Sequence, residues 1–123
     1  MEFVLIRHGD PDYSACVRGG INGQGFGLVP LSEKGLQQAR QVAAHPALAG
    51  AQLVLSSPYT RALQTAAEIV RATGLPLAVE PDLHELMADR SGAPHTREEM
   101  KQLHQEFLAC RGCWPEDGER PWE

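Results

Sequence analysis

No stretch of the 123-residue chain approaches the roughly 20 consecutive apolar residues that a membrane-spanning helix requires. The first residues, Met1-Glu2 with Arg7 close behind, lack the architecture of a signal peptide. A basic excess is also missing. The formal net charge is −5 and the pI is about 5.5, whereas nucleic-acid binders usually carry a surplus of lysine and arginine. These absences predict a soluble, cytoplasmic protein with neither nucleic acid nor membrane as partner. A local positive pocket remains compatible with an acidic chain. Cysteine is scarce and odd in number, with Cys16, Cys110 and Cys113, which argues against a disulfide framework. The Cys110-Arg111-Gly112-Cys113 spacing lacks the second pair that a closed four-ligand zinc site needs. It also lacks the βα context of a redox motif. Cys110 falls on the apolar face of a predicted helix and reads as a core thiol. Neither an internal repeat nor a low-complexity tract is present, and the length suits one modest domain over residues 1–123.

What is present begins at the N-terminus. Phe3-Val4-Leu5-Ile6 is an apolar run that stops abruptly on Arg7-His8-Gly9. Such a run predicts a strand buried on both faces, as in a parallel sheet. Open α/β sheets place their ligands at the carboxyl ends of strands, where Arg7 and His8 fall. Two readings stand here: a cation and an imidazole presented for chemistry, or ordinary polar residues where a strand leaves the core. A long loop follows from Asp10 to Pro30, with Gly19, Gly20, Gly23, Gly25 and Gly27. It matches neither GxGxxG nor GxxxxGK[ST], so it is not read as a dinucleotide or P-loop site. Its backbone N–H groups, with Arg18 and Asn22, could line an anion pocket. A plain surface loop accounts for the same residues.

The remaining pattern alternates. Ser32, after Pro30-Leu31, is an N-cap, and Glu33 suits the positive end of a helix. That helix is expected from Glu33 to Ala44, with Leu36, Ala39 and Ala43 facing the sheet and His45-Pro46 ending it. His45 reads as a polar residue near the negative helix end. Gln52 to Ser56 is a second strand. A helix from Thr60 to Thr73 follows, with Ala62, Ala66, Ile69 and Val70 inward and Gly74 as an αL stop. Arg61 sits in its first turn, the wrong end for a cation, which suggests an anion to be held. Leu77 to Val79 is a third strand. Thr96-Arg97-Glu98-Glu99 is a capping box that starts a helix carrying Met100, Leu103, Phe107 and Cys110 on one face. Beyond Gly112 the chain turns polar and proline-rich, with Trp114 and Trp122. The alternation predicts a layered α/β domain with a mainly parallel sheet. Two strand ends and one helix start then bring Arg7, His8 and Arg61 to a common crevice. Paired guanidinium groups can hold a phosphate there, and an imidazole can attack phosphorus.

Four blocks carry a family resemblance: Leu5-Ile6-Arg7-His8-Gly9; Pro30-Leu31-Ser32-Glu33-Lys34-Gly35-Leu36-Gln37-Gln38-Ala39; Ser56-Ser57-Pro58-Tyr59-Thr60-Arg61-Ala62-Leu63-Gln64-Thr65-Ala66; and Leu83-His84-Glu85-Leu86. In this order they resemble the histidine phosphatase superfamily, the phosphoglycerate mutase-like proteins. The resemblance implies a three-layer α/β/α fold. It implies phosphomonoester hydrolysis of a small phosphorylated metabolite through phosphohistidine at His8. Arg7 and Arg61 would neutralise the transferring oxygens, and Glu85 would protonate the leaving oxygen and then activate water. Gly9 would adjoin the phosphate. No metal and no cofactor are implied, because the arginines take the charge.

The departures from the family pattern matter as much. The family carries a second histidine on a later strand, in a strand-His-Gly context that none of His45, His84, His95 or His104 reproduces. The C-terminal part of the family domain is therefore expected to be missing, and with it a strand that lies between the first two strands of this chain. Unpaired edges there predict self-association. In the loop, Asn22 is displaced, Leu28 stands where an Asp is expected, and Asp10 where Glu is frequent. Two alternatives to hydrolysis follow: a phosphate-binding or interaction module with impaired turnover, and phosphoryl transfer of the mutase type.

Overall fold

A computed structural model of the chain describes residues 1–14, 16, 23–85 and 96–110. Arg18, Asn22, His95, Cys113, Trp114 and Trp122 lie outside the described residues. Helix α1 (Glu33–Ala43) starts as its cap dictates: Ser32 Oγ accepts the Gly35 N–H at 3.0 Å, relieving one of the orphan donors of the first turn. Ala39 and Ala43 are buried, with Leu36 half-buried beside them. The helix ends one residue before the expected Ala44. His45 then does more than face the helix end. Its Nδ1 accepts the Ala47 N–H at 3.1 Å and caps a short 3-10 turn, Pro46–Leu48.

Strand β1 (Val54–Ser56) is shorter than the Gln52–Ser56 expectation. Helix α2 (Thr60–Thr73) has the predicted limits, and Gly74, at φ 71°, closes it by donating its N–H to the Val70 carbonyl at 2.8 Å. Strand β2 (Leu77–Val79) pairs parallel with β1, Val54 opposite Leu77 and Ser56 opposite Val79. Helix α1 packs on α2 and α2 on β1. The small side chains of Ala39, Ala43 and Ala66, with Ile69, form the buried seam. Helix α3 (Arg97–Ala109) opens with the capping box read from the sequence: Thr96 and Glu99 each accept the other's backbone N–H. Phe107 is its buried anchor.

The first expected strand is the main correction. Residues 1–10 have no assigned secondary structure, and Phe3 and Leu5 are 75% and 94% exposed rather than buried. A strand exists only where another supplies hydrogen-bond partners, and β1 is paired with β2 alone among the described residues. An apolar run states which surroundings it needs; it cannot supply the neighbour. The main chain docks at Gly9, which is buried against the start of α1. A Cβ on Gly9 would collide with the Gly35 carbonyl, and one on Gly35 with the Asp10 carbonyl. Both positions therefore require glycine for close main-chain approach. Asp10 completes the docking: its carbonyl accepts the Ser32 N–H and its carboxylate the Ser32 hydroxyl, each at 2.8 Å. The long loop returns as a 3-10 turn, Gly23–Leu28, and an antiparallel bridge between Pro11 and Leu31.

Candidate active site

The first turn of α2 drives Arg61 into the protein, where it is 2% exposed. A guanidinium stays ionised at any working pH, so a buried one needs an acceptor for each donor and a nearby negative charge. Its Nη1 donates to the Phe26 carbonyl at 2.8 Å, and its Nη2 to Glu85 Oε2 at 2.5 Å. Its Nε donates to His8 Nε2 at 3.2 Å. The Cζ lies 4.7 Å from the centre of the Tyr59 ring, a cation–π stack that also fixes the guanidinium plane. The charge that faces Arg61 within the chain is the Glu85 carboxylate. Glu85 reaches in from just beyond the 3-10 turn Pro81–Leu83, with its side chain 69% exposed.

The partners of His8 decide its protonation. A guanidinium N–H can only donate, so Nε2 must offer its lone pair. The Gly9 carbonyl, 2.7 Å from Nδ1, can only accept, so Nδ1 carries the proton. The tautomer that fits these partners has its proton on Nδ1 and an unprotonated Nε2.

The structure thus brings His8, Arg61 and Glu85 together, with Gly9 beneath the imidazole. Arg7 is exposed, and no hydrogen bond or ion pair links it to another described residue. Arg18 and Asn22 fall outside the described residues. Sequence reasoning did not assign roles to Tyr59, to the Phe26 carbonyl, or to Thr65, which accepts the Gly9 N–H at 3.3 Å and donates to the Arg61 carbonyl at 2.9 Å. A signal for Thr65 was available: it stands one helical turn after Arg61, on the same face. Nothing in the sequence marks a backbone carbonyl as a guanidinium acceptor. Among the described residues, no group of three or more His, Cys, Asp or Glu side chains could hold a metal ion.

This geometry can be set beside known proteins. The family model for the histidine phosphatase superfamily (branch 1) matches residues 3–123. The chain belongs to that superfamily. Among its curated relatives is a protein of Enterobacter sp. (strain 638) named "Probable phosphoglycerate mutase GpmB", 38% identical over 86 residues, 70% of this chain and 38% of the relative. The Escherichia fergusonii protein of the same name is 37% identical over the same length. The chain therefore spans about 38% of the length of these curated relatives. Among solved structures, a phosphoserine phosphatase from Entamoeba histolytica in complex with 3-phosphoglyceric acid is similar, with a TM-score of 0.59 and 27% identity. The similarity covers 87% of this chain and 52% of that one. A mycobacterial glucosyl-3-phosphoglycerate phosphatase in complex with VO3 has a TM-score of 0.58 and 27% identity, over 85% of this chain and 47% of its own. The α/β class and the parallel strands of this chain are those of phosphoglycerate mutase-like histidine phosphatases.

Proposed function

We propose that the His8–Arg61–Glu85 cluster hydrolyses phosphomonoesters of a small phosphorylated metabolite through phosphohistidine. The observation that carries this reading is one guanidinium joined at once to the free lone-pair nitrogen of an imidazole and to a carboxylate. A phosphoryl group entering the site would meet Arg61 in place of His8 Nε2 and share it with Glu85. Arg7, exposed one residue from His8, supplies the second cation. The Nε2 lone pair forms an N–P bond as the ester P–O bond breaks, and the leaving oxygen takes a proton from the carboxyl form of Glu85, whose exposed side chain gains that proton from solvent. Water then attacks phosphorus, giving its proton to the Glu85 carboxylate, and the N–P bond breaks to release phosphate and neutral imidazole. Arg61, itself buried and held in place by its other partners, neutralises charge on the phosphoryl oxygens throughout.

Two neighbouring readings use the same first contacts. Phosphoryl transfer to a second alcohol, the reaction in the name of the GpmB relatives, differs only in what accepts the phosphoryl group. Phosphate binding without turnover is the second reading: of the other histidines among the described residues, His45, His84 and His104, all are exposed and none is hydrogen-bonded to His8 or Arg61. The test is turnover of an aryl phosphate by the 123-residue chain from mildly acidic to neutral pH, beside His8→Ala. Hydrolysis that vanishes in the variant supports the proposal. Equal silence in two folded proteins refutes it, and phosphate binding by the silent parent then favours the binding reading.

A further inference from the structure

A nucleophilic His8 needs its proton on Nδ1, and that proton is directed by a single backbone carbonyl, that of Gly9. The direction of that carbonyl is in turn fixed by the two peptide groups that flank Gly9. The His8–Gly9 peptide donates its N–H to Thr65 Oγ1 at 3.3 Å. The Gly9–Asp10 peptide, which owns the carbonyl, donates its N–H to Gln38 Oε1 at 2.8 Å. A peptide whose N–H is bonded presents a more strongly accepting carbonyl. Gln38 is exposed, so water can replace it. Thr65 is different. It is 4% exposed, and its own hydroxyl proton is committed to the Arg61 carbonyl at 2.9 Å. Its oxygen can therefore only accept from Gly9, and buried surroundings give Gly9 no alternative partner.

We propose that Thr65 is a positioning residue for His8: its hydroxyl ties the nucleophile's main chain to the helix that carries Arg61, and so holds the imidazole in the Nδ1-protonated tautomer. One hydroxyl thereby sets two relations. It fixes the His8–Gly9 peptide on one side of the Gly9 Cα and, with Gln38 holding the Gly9–Asp10 peptide on the other, limits where the Gly9 carbonyl points. It also joins that peptide to the Arg61 carbonyl, so that nucleophile and guanidinium move as a unit. The inference rests on the reading of His8 as nucleophile, but its readout does not require turnover.

The experiment is nitrogen-15 NMR of the histidine rings in the full chain, with the His8 signals identified by their loss in His8→Gln. The parent, Thr65→Val and Thr65→Ser are compared. Valine keeps the branched shape and removes the acceptor; serine keeps the hydroxyl. The expected result is an Nδ1-protonated His8 in the parent and in Thr65→Ser. In Thr65→Val a several-fold shift toward the Nε2-protonated form is expected. Where the parent hydrolyses aryl phosphate, Thr65→Val lowers kcat on the order of tenfold with KM little changed, and Thr65→Ser restores it. Parent-like ring signals in Thr65→Val overturn the inference, as does an Nε2-protonated His8 in the parent. Should Thr65→Val not fold, the parent alone decides. A Gly9 amide that exchanges with solvent far more slowly than the exposed loop amides supports the tie, and fast exchange overturns it. An inactive parent with the expected ring signals refutes the hydrolysis reading and leaves this one standing.

Discussion

Replacing Gly35 by alanine adds one methyl group where the main chain after His8 lies against the start of α1. Two effects oppose each other. Alanine is favoured over glycine within a helix by about 1 kcal/mol. Against this, the new Cβ would stand 2.9 Å from the Asp10 nitrogen and 3.0 Å from its carbonyl carbon, with the carbonyl oxygen closer still. Ordinary contact begins near 3.4 Å, and the carbonyl oxygen, the nearest atom, sets the movement: the two segments must separate by more than about an ångström. Both are backbone, and Asp10 is tied to Ser32 by two hydrogen bonds and to Gln38 by a third, so no flexible side chain absorbs the movement. Overpacking of this kind costs about 1–3 kcal/mol. Allowing for the helix gain, the expected destabilisation is roughly 0–2 kcal/mol, a shift of several degrees at most in Tm. The effect on chemistry is larger, because the displaced segment begins one residue after His8. A misplacement near 1 Å costs on the order of a hundredfold in rate, and a loss of about that size is expected. The assay is thermal unfolding by circular dichroism together with aryl phosphate kinetics, with the exposed neighbour Lys34→Ala as control. A Gly35→Ala protein that is more stable than the parent by the full helix gain, with unchanged turnover, would refute the close approach and the reasoning built on it.

Three other perturbations test other parts of the structure. Arg61→Lys keeps the charge but cannot reach the Phe26 carbonyl, His8 and Glu85 together; kcat should fall by about 10²–10³, read by steady-state kinetics, and near-parent turnover would remove Arg61 from its assigned role. Thr96→Ala deletes half of the capping box of α3 and should lower stability by about 1 kcal/mol, seen as a lower urea midpoint at unchanged slope; an unmoved midpoint would mean the box is not formed in solution. The exposed Phe3 and Leu5 predict association at rising concentration, which the double replacement Phe3→Ser, Leu5→Ser should reduce; a parent that sediments as a monomer at all concentrations would count against it.

Much of this molecule was legible before any coordinates. Ser32, Thr96 and Gly74 announce their helix ends because capping is local chemistry, settled within a few residues of chain. Helix α2 and strand β2 have the limits that periodicity and punctuation predict. The anomaly of Arg61, a cation at a helix start, coincides with a side chain that is buried and has its partners outside its own helix. The failure at Phe3–Ile6 has an equally physical cause: strand formation is a property of a pair, and the run carries no information about its partner. The same limit hid the role of the Phe26 carbonyl, since every residue but proline offers the same backbone groups.

By itself, then, the sequence determined the helices, their caps, the α/β class, and which few side chains have chemistry to offer, because these depend on neighbours within a turn or two. Only the tertiary structure decided that Arg61 is shared between His8 and Glu85, that the Gly9 N–H meets Thr65, and that Gly35 lies against the main chain of Asp10. The hydrogen bonds among them span 24 to 56 residues of chain, and their donors and acceptors meet only when the helices pack.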